Sequence, residues 1–228
     1  MKNLVVLTGA GMSAESGVST FRDAGGLWEG HDIMEVASPQ GFAANPALVL
    51  DFYNQRRRQL FEVAPNDGHK ALAELENKYR VSIITQNVDD LHERAGSTSI
   101  LHLHGELLKA RSVRNESEII PWTEDIQLGD LAADGAQIRP HIVWFGEAVP
   151  MLEPAMKITE QADILVIIGT SMQVYPAASL INYVQPGIPI YFIDPKPAVN
   201  SGDFDNLVVI AEKATVGMQT LIDHYLNE

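Results

Sequence analysis

Cysteine is absent from the 228 residues of the chain. This absence excludes disulfide bonds, a thiol nucleophile and any zinc site built on thiolates. Basic residues are also scarce: 16 Lys and Arg stand against 30 Asp and Glu, which gives a formal net charge of −14. Nucleic-acid binding needs clustered Lys and Arg to neutralise phosphates, so we expect no nucleic-acid partner. An acidic surface suits a basic peptide, although more often it only maintains solubility.

Long apolar runs are missing as well. Runs such as Ile164–Ile168 are far too short to cross a bilayer. The chain enters a strand-like run at Leu4, which leaves no room for the three regions of a signal peptide. We therefore expect a cytoplasmic protein that makes no membrane contact. Its hydrophobic content of 46% with 20% charged residues is typical of a globular protein with a buried core.

Short apolar strands alternate with helical segments along the chain. The predicted strands are Leu4–Leu7, Val81–Thr85, Ile164–Ile168, Ile188–Ile193 and Leu207–Ile210. The predicted helices are Pro46–Glu62, His69–Lys78, Ala177–Val184 and Val216–Leu226. Continuous apolar strands that alternate with helices indicate an α/β fold with a doubly wound, Rossmann-like parallel sheet.

Two stretches interrupt this alternation. Residues of about 31–79 look mainly helical, and residues 107–139 look polar and irregular. We predict a single domain over residues 1–228, whose Rossmann-like core comprises about 1–30, 80–106 and 140–228. The two insertions are expected to form a smaller lobe over the sheet.

A glycine-rich turn, Gly9–Gly17, follows the first predicted strand. Glycines let the backbone approach a pyrophosphate, and the start of a following helix offers free N–H groups. The spacing is not the usual G-x-G-x-x-G, because the third glycine comes later, at Gly17. For this motif alone, a tight turn without a ligand is the alternative interpretation.

The residues after this turn extend the motif. Arg22 and Asp23 lie just past it and precede the run Gly25-Gly26-Leu27-Trp28. Together the two segments resemble the nucleotide-binding signature of the sirtuins, G-A-G-x-S-x-x-S-G-I-x-x-F-R, with Val18 in place of isoleucine. The resemblance implies a site for NAD as co-substrate. The residues it places in that site are Gly9, Ala10, Gly11, Ser13, Thr20, Phe21, Arg22 and Trp28.

Polar residues follow the strand Val81–Thr85, where ligands of open α/β sheets bind. Asn87 and Asp89 could instead cap the next helix. The matching T-Q-N-x-D segment of sirtuins contacts the nicotinamide riboside. The resemblance therefore implies that Gln86, Asn87 and Asp89 bind the co-substrate, and we count Asn87 among the catalytic residues.

Two histidines, His102 and His104, share one face of a short strand. A histidine beside a nucleotide can act as a general base near neutral pH, but a single histidine is more often only a hydrogen-bonded surface residue. The pair could also hold a metal, although no third ligand lies nearby in the sequence. The sirtuin base is the histidine directly before glycine, so the resemblance selects His104.

Segments nearer the C-terminus complete the resemblance. Pattern alone makes Arg139–Glu147 an internal strand, with an edge that accepts an extended peptide as the alternative. Its sirtuin counterpart, P-x-V-V-x-F-G-E, forms the acyl-lysine channel, which implies substrate binding by Val143, Phe145 and Gly146. Other matches to NAD-binding turns are Gly169, Thr170, Ser171, Asp194, Pro195, Lys196 and Ala214. Asp194 replaces a common asparagine, and a carboxylate would repel a 2′-phosphate, so we expect NAD rather than NADP.

The resemblance extends from about Leu4 to Ala214 and implies an NAD-dependent protein-lysine deacylase. Its partners would be acylated-lysine proteins or peptides, and its products nicotinamide, free lysine and O-acyl-ADP-ribose. Three alternatives stay open. They are a sirtuin-type protein ADP-ribosyltransferase, an NAD(H)-dependent oxidoreductase, and a module that senses NAD or ADP-ribose without turnover.

Tyr53 and Arg56 lie three residues apart on a predicted helix and so share one face. A phenol and a guanidinium can hold a terminal carboxylate, the guanidinium by two parallel hydrogen bonds. The same Y-x-x-R spacing marks the sirtuin subgroup that removes succinyl, malonyl and glutaryl groups. An arginine run on a helix is solvated by default, and we assign Arg57 and Arg58 to the surface.

One departure from the family is large. Most sirtuins hold a structural zinc with four cysteines in two C-x-x-C motifs, whereas this chain has Ser112 where the first ligand is expected. We therefore predict no zinc. Residues 107–139 are expected to hold together by local packing through Ile119, Ile120, Trp122 and Leu128.

Overall fold

The computed structural model describes residues 1–19, 28, 30–199, 202, 204 and 206–226. Its strands are β1 Asn3–Thr8, β2 Arg80–Thr85, β3 Ile100–His102, β4 Gly105–Ser112, β5 Ile119–Pro121, β6 Ile138–Ile142, β7 Ile164–Ile168, β8 Ile190–Ile193 and β9 Leu207–Ile210. Its α-helices are α1 Ile33–Val36, α2 Pro39–Ala44, α3 Pro46–Leu60, α4 Asp67–Leu75, α5 Leu91–Ala95, α6 Leu152–Thr159 and α7 Ala214–Tyr225. Three 3-10 helices cover Ala10–Met12, Ala14–Ser16 and Ala177–Tyr183.

Six strands form a parallel sheet in the order β3-β2-β1-β7-β8-β9. The predicted doubly wound sheet is thus confirmed, with β3 as an additional strand. The segment Ala177–Tyr183 is a 3-10 helix rather than the expected α-helix, and α6 was not predicted. Strand β1 has β2 on one side and β7 on the other, so the strand order reverses direction there. In folds of this kind, the carboxyl ends at such a reversal form the ligand crevice.

Both faces of this sheet are covered, which explains why its strands are apolar throughout. Leu4 and Val6 of β1 pack in a cluster with residues of α4 and α7. Val5 and Leu7, on the opposite face, pack with residues of α6 and of the 3-10 helix Ala177–Tyr183. Alternate side chains of one strand therefore pack into two separate hydrophobic layers, one on each face of the sheet.

A second, antiparallel sheet has the order β5-β4-β6. The prediction that residues 107–139 are irregular holds for 113–118 and 122–137, but misses the strands β4, β5 and β6. The apolar pattern did not predict β4 and β6, because both strands carry buried charged residues. Arg111 on β4 and Arg139 on β6 are 4% and 6% exposed. Both guanidiniums donate to the carboxylate of Glu147. Paired charges replace the apolar alternation that would have marked these strands.

The packing of this sheet also differs from the prediction. Its buried cluster is formed by Leu50, Ala110, Ile126 and Ile138. Ile120 and Trp122 lie at the edge of the cluster, as partly buried residues. Ile119 and Leu128 are 43% and 57% exposed, so they do not hold the lobe together. Leu50 comes from α3, which means that the helix and the sheet share one core.

The turn after β4 is closed by Ser112 and Asp134. The Ser112 hydroxyl donates to Asp134 Oδ2 at 2.7 Å and accepts hydrogen bonds from the backbone N–H groups of Arg114 and Asn115. Asp134 Oδ1 accepts a further bond from the N–H of Ala136. A hydroxyl and a carboxylate thus organise the turn at which the family resemblance places the first zinc ligand.

Candidate functional site

The loops after β1 and β7 cross in close contact at the reversal of strand order. Gly9 N–H donates to Ile168 O, and Gly11 N–H donates to Gly169 O at 2.8 Å. A Cβ on Gly11 would lie only 2.6 Å from Gly169 Cα, and Gly169 has a positive φ of 63°. These glycines are therefore required for the two loops to approach one another. The α-helix expected after the turn is absent from the described part of this loop, which forms the two short 3-10 helices Ala10–Met12 and Ala14–Ser16.

The loops after β1 and β2 are joined through Ser13. The Asn87 amide donates to Gly9 O and to Ser13 Oγ, both at 3.1 Å. Ser13 Oγ in turn donates to Asp89 Oδ2 at 2.8 Å. Asp89 Oδ1 accepts from Leu91 N–H, but the N-cap residue of α5 is Asp90, so neither Asn87 nor Asp89 occupies the capping position. Burial raises the pKa of Asp89, and the hydrogen bonds from Ser13 and Leu91 partly offset this.

His104 lies directly beside this junction. Its Nδ1 is 3.1 Å from Gln86 O, and because a carbonyl oxygen only accepts, Nδ1 must carry the proton. Its Nε2 then keeps a lone pair, and no described residue hydrogen-bonds to that atom. Burial lowers the pKa of His104, partly offset by the bond to Gln86 O. The side chain is a neutral base with a fixed tautomer.

His102 cannot fill the same role, nor that of a metal ligand. Its Nδ1 bonds to Asn87 O, and its Nε2 bonds to a carboxylate oxygen of Glu93. With both ring nitrogens donating to acceptors, no lone pair is left for a proton or a metal. More widely, the described residues contain no group of three or more His, Asp or Glu arranged to hold a metal ion.

A buried chain of hydrogen-bonded polar groups, which the sequence did not predict, holds the backbone of Asn87. Thr85 Oγ1 accepts from Asn87 N–H at 3.0 Å and from the Thr8 hydroxyl at 2.8 Å. His92 Nε2 lies 3.1 Å from Thr8 Oγ1, and the ring of His69 packs against the ring of His92. The sequence signal that could have predicted this chain is the threonine at the end of each of two apolar strands, Thr8 and Thr85. Strand ends at this edge of the sheet face the crevice.

The remaining nucleotide-site predictions cluster near the same edge. Gln86 Nε2 donates to Thr170 Oγ1 at 3.1 Å, which ties the β2 loop to the β7 loop. The buried Asp194 accepts from Lys196 N–H at 2.8 Å and so shapes the turn after β8. Next to Ala214 at the start of α7, Thr215 bonds to Glu15 of the first loop. The predicted residues Thr20, Phe21 and Arg22 lie outside the described residues.

A cavity opens beside these loops toward α3. The residues lining it are Val18, Ser19, Trp28, Arg56, Gln59, Leu60, Val88, Asp89 and Leu107. Trp28, which was predicted to bind nucleotide, packs edge-on against Phe52 with ring centroids 4.9 Å apart. The Arg56 guanidinium lies 3.4 Å from the Phe52 ring centroid and 5.7 Å from that of Trp28. Arg56 thus places a cation in a largely apolar cavity.

Tyr53 is fully buried behind this cavity rather than among the residues that line it. Its hydroxyl oxygen accepts a hydrogen bond from Trp144 Nε1 at 3.0 Å. The assignment of Arg57 to the surface is wrong, because that side chain is 0% exposed and donates to Leu107 O and Asn54 Oδ1. Arg58 is a surface residue and pairs with Asp125.

The predicted acyl-lysine segment divides at Ile142. Up to that residue it is strand β6, which pairs with β4 and is an edge strand of the described antiparallel sheet, so the internal-strand interpretation is wrong. Beyond it, the chain leaves the sheet: Val143 N–H donates to His104 O, and Phe145 N–H donates to Ala37 O. Phe145 is 43% exposed, and Gly146 has a φ of 89° with open space around it. An exposed aromatic residue and an uncrowded backbone thus follow Val143, the residue that is hydrogen-bonded to His104.

Comparisons with known proteins agree with this geometry. A model of the Sir2 family matches residues 9–176. The NAD-dependent protein deacylase of Helicobacter pylori strain J99 is 64% identical over 222 residues, covering 97% of this chain and 94% of that protein. The NAD-dependent protein deacylase of Bacteroides thetaiotaomicron is 56% identical over 227 residues, covering 97% of both.

Solved structures show the same arrangement of the chain. A Sir2 homolog–NAD complex superposes with a TM-score of 0.87 at 41% identity, covering 98% of this chain and 89% of the other. A structure of Sir2 bound to acetylated peptide gives a TM-score of 0.79 at 27% identity, covering 96% and 92%.

Proposed function

The chain belongs to the Sir2 family, and from this premise we propose that it removes acyl groups from protein lysines with consumption of NAD. The observation that carries the proposal is the state of His104, whose Nδ1 is fixed by Gln86 O while Nε2 is free to accept a proton. The predicted acyl-lysine segment begins one hydrogen bond away, at Val143. A base and a substrate-binding segment therefore share one crevice.

The residues around His104 have separate proposed functions: binding the pyrophosphate, positioning a loop and accepting a proton. NAD supplies an electrophilic ribose carbon once its nicotinamide leaves. The crossed glycine loops present backbone close to where a pyrophosphate can bind, and the carboxyl ends of β1 and β7 form that crevice. The Ser13–Asn87–Asp89 junction holds the β2 loop in place. His104 Nε2 is then the atom that takes a proton from a ribose hydroxyl.

The proposal is tested by incubating the protein with NAD and an acyl-lysine peptide and following both by mass spectrometry. A deacylase gives free lysine, nicotinamide and O-acyl-ADP-ribose in equal amounts. A protein gaining the mass of ADP-ribose would favour the transferase instead. Nucleotide binding without nicotinamide release would favour a sensing module, and a reduced-cofactor absorbance band would favour an oxidoreductase.

We further propose that acyl groups ending in a carboxylate are preferred, such as succinyl, malonyl or glutaryl. Arg56 supports this, because it is the cation among the described residues lining the cavity, and its neighbours there include the apolar Trp28, Val88 and Leu107. A guanidinium in apolar surroundings binds a carboxylate more strongly than one in water.

A panel of acetyl-, succinyl-, malonyl- and glutaryl-lysine peptides of one sequence tests this preference. Higher kcat/KM for the three acidic acyl groups than for acetyl supports it. Equal or lower values remove it, while leaving the deacylase proposal intact. We place this activity in the cytoplasm, with acylated proteins as partners and without nucleic acid or membrane.

A further inference from the structure

Trp144 is the buried neighbour of the predicted substrate residues Val143 and Phe145. Its side chain is 2% exposed, and its indole N–H donates to the Tyr53 hydroxyl oxygen at 3.0 Å. The two aromatic rings lie 6.3 Å apart between centroids. Trp144 therefore connects the segment beside His104 to the helix that carries Arg56.

The indole is held in place by two charged residues. The Arg139 guanidinium stacks on the Trp144 ring, 3.2 Å from its centroid, as in a cation–π contact. Glu147 accepts from Arg139 Nη1 at 2.6 Å and from the backbone N–H of Trp144 at 2.8 Å. Arg139 and Glu147 expose only 8% and 16% of their side chains, so solvent screens this pair weakly. The orientation of the indole N–H is thus set by the antiparallel sheet.

The hydrogen bond from the Trp144 indole to Tyr53 leaves the Tyr53 O–H as a donor for a ligand. Burial raises the pKa of Tyr53 well above its ordinary value, so the phenol keeps its proton. Its oxygen accepts from Trp144, and its own O–H donates to no acceptor among the described residues. A buried O–H without an acceptor costs free energy that a ligand oxygen can recover. Arg56 follows three residues later on the same helix face, where it lines the cavity.

We propose that Trp144 is a positioning residue for acyl specificity: its indole N–H fixes the Tyr53 hydroxyl, and this O–H and Arg56 together receive an acyl carboxylate that enters past Trp28. Trp28 lines the cavity and separates it from Tyr53, with the two ring centroids 6.0 Å apart. Trp144 acts through Tyr53 and does not itself touch the acyl group. The inference rests on the proposed preference for acidic acyl groups and names the residue that sets it.

The test compares Trp144→Phe with Trp122→Phe, using kcat/KM for succinyl- and acetyl-lysine peptides. Trp122 is a matched control, because it lies in the same lobe and its buried indole nitrogen has no hydrogen-bond partner. Trp144→Phe should lower the succinyl-to-acetyl ratio about tenfold, as expected for one lost hydrogen bond in a buried site. Trp122→Phe should leave the ratio within about twofold. Equal losses on both peptides would show a merely structural role and overturn the proposal.

A double-mutant cycle with Tyr53→Phe shows whether Trp144 acts through the phenol. In the Tyr53→Phe background, Trp144→Phe should change the ratio by less than about twofold, and additive effects would contradict the inference. Should Trp144→Phe fail to fold, Arg139→Lys keeps a charge for Glu147 but loses the planar stacking. It should lower the ratio in the same direction, and an unchanged ratio would count against the proposal.

Arg56→Met separates the two proposals. If Arg56→Met lowers the succinyl-to-acetyl ratio and Trp144→Phe does not, the role of Trp144 is wrong and the acyl preference stands. If neither substitution changes the ratio, both proposals fall.

Discussion

His102 and Glu93 form a hydrogen-bonded pair, with Nε2 and Oε1 at 2.8 Å, two residues away from the proposed base His104. Burial lowers the pKa of His102, but the hydrogen bond and charge of Glu93 outweigh burial and raise it overall. Burial lowers the pKa of His104, which has no carboxylate partner. The pKa values of the two neighbouring histidines are therefore shifted in opposite directions, His102 toward the protonated form and His104 toward the neutral form.

The pH dependence of deacylation should follow His104. The base is active when neutral, so kcat/KM should reach a plateau at neutral pH and fall in acid with a midpoint below 6.5. The profile is measured with an acetyl-lysine peptide at saturating NAD. An acidic limb with its midpoint above pH 6.5 would assign the base to another group.

Replacing His104 by tyrosine should reduce deacylation at least about 100-fold, because general-base catalysis supplies that much or more. The exposed His224 provides the control, and His224→Tyr should retain full activity. Circular dichroism and NAD binding by calorimetry verify that both variants fold. Undiminished activity of His104→Tyr would remove the role assigned to Nε2.

Arg56→Met should lower kcat/KM for succinyl-lysine roughly 30-fold or more while changing acetyl-lysine by about twofold at most, since only the former loses a buried charge partner. Arg58→Met is the control, because Arg58 side-chain exposure is 52% and its partner Asp125 lies outside the cavity. Both peptides are assayed with each variant. Similar losses on the two peptides would contradict carboxylate recognition by Arg56.

Arg57 should matter for stability instead. Burial lowers its pKa to about 10, which still leaves it charged at neutral pH. Arg57→Met would remove the Arg57 donors to Leu107 O and to Asn54 Oδ1, which would keep only the Ile126 N–H, and we expect a loss of about 2–4 kcal/mol. Arg58→Met should change the free energy of unfolding by no more than about 0.5 kcal/mol. Urea unfolding measures both, and equal effects would refute the distinction.

His69 should make folding sensitive to acid. Burial lowers its pKa from 6.5 to about 4, so between these values the unfolded chain takes up a proton that the folded chain does not. The stabilisation is fully present above pH 6.5 and decreases as pH falls toward 4, by on the order of 3 kcal/mol.

His69→Gln isolates this contribution, because glutamine at this helix position can still accept from Asn66 N–H in the capping box. The free energy of unfolding of His69→Gln should vary less between pH 7 and pH 5 than that of the parent. His224→Gln, an exposed control, should show the parent's slope. A parental slope in His69→Gln would show that the acid sensitivity comes from other groups.

The parallel sheet could be predicted because burial on both faces leaves a local trace, a continuous apolar run such as Ile164–Ile168. The antiparallel sheet left no such trace, since Arg111 and Arg139 are neutralised by Glu147, a partner remote from Arg111 in the sequence. Strand identity there depends on pairing rather than on composition.

In the site too, the features marked by local sequence motifs could be predicted, and those that depend on distant contacts could not. The motifs brought His104, Asn87 and Ser13 to one place because the carboxyl ends of neighbouring parallel strands meet at one edge. The difference between Arg57 and Arg58 could not be predicted, because it depends on Leu107 O and Asp125, both distant along the chain. The role of Trp144 depends likewise on Tyr53, 91 positions away.

The turn at Ser112 is closed by a hydroxyl, a carboxylate and backbone N–H groups of its own chain. A thiolate centre at such a turn would come apart under metal starvation or oxidative stress, since chelators strip its ion and peroxides attack its sulfur. Neither chelators nor peroxides act on the hydroxyl, carboxylate and backbone N–H groups that close this turn. The closure of this turn therefore depends on neither a bound ion nor the redox state of a thiol.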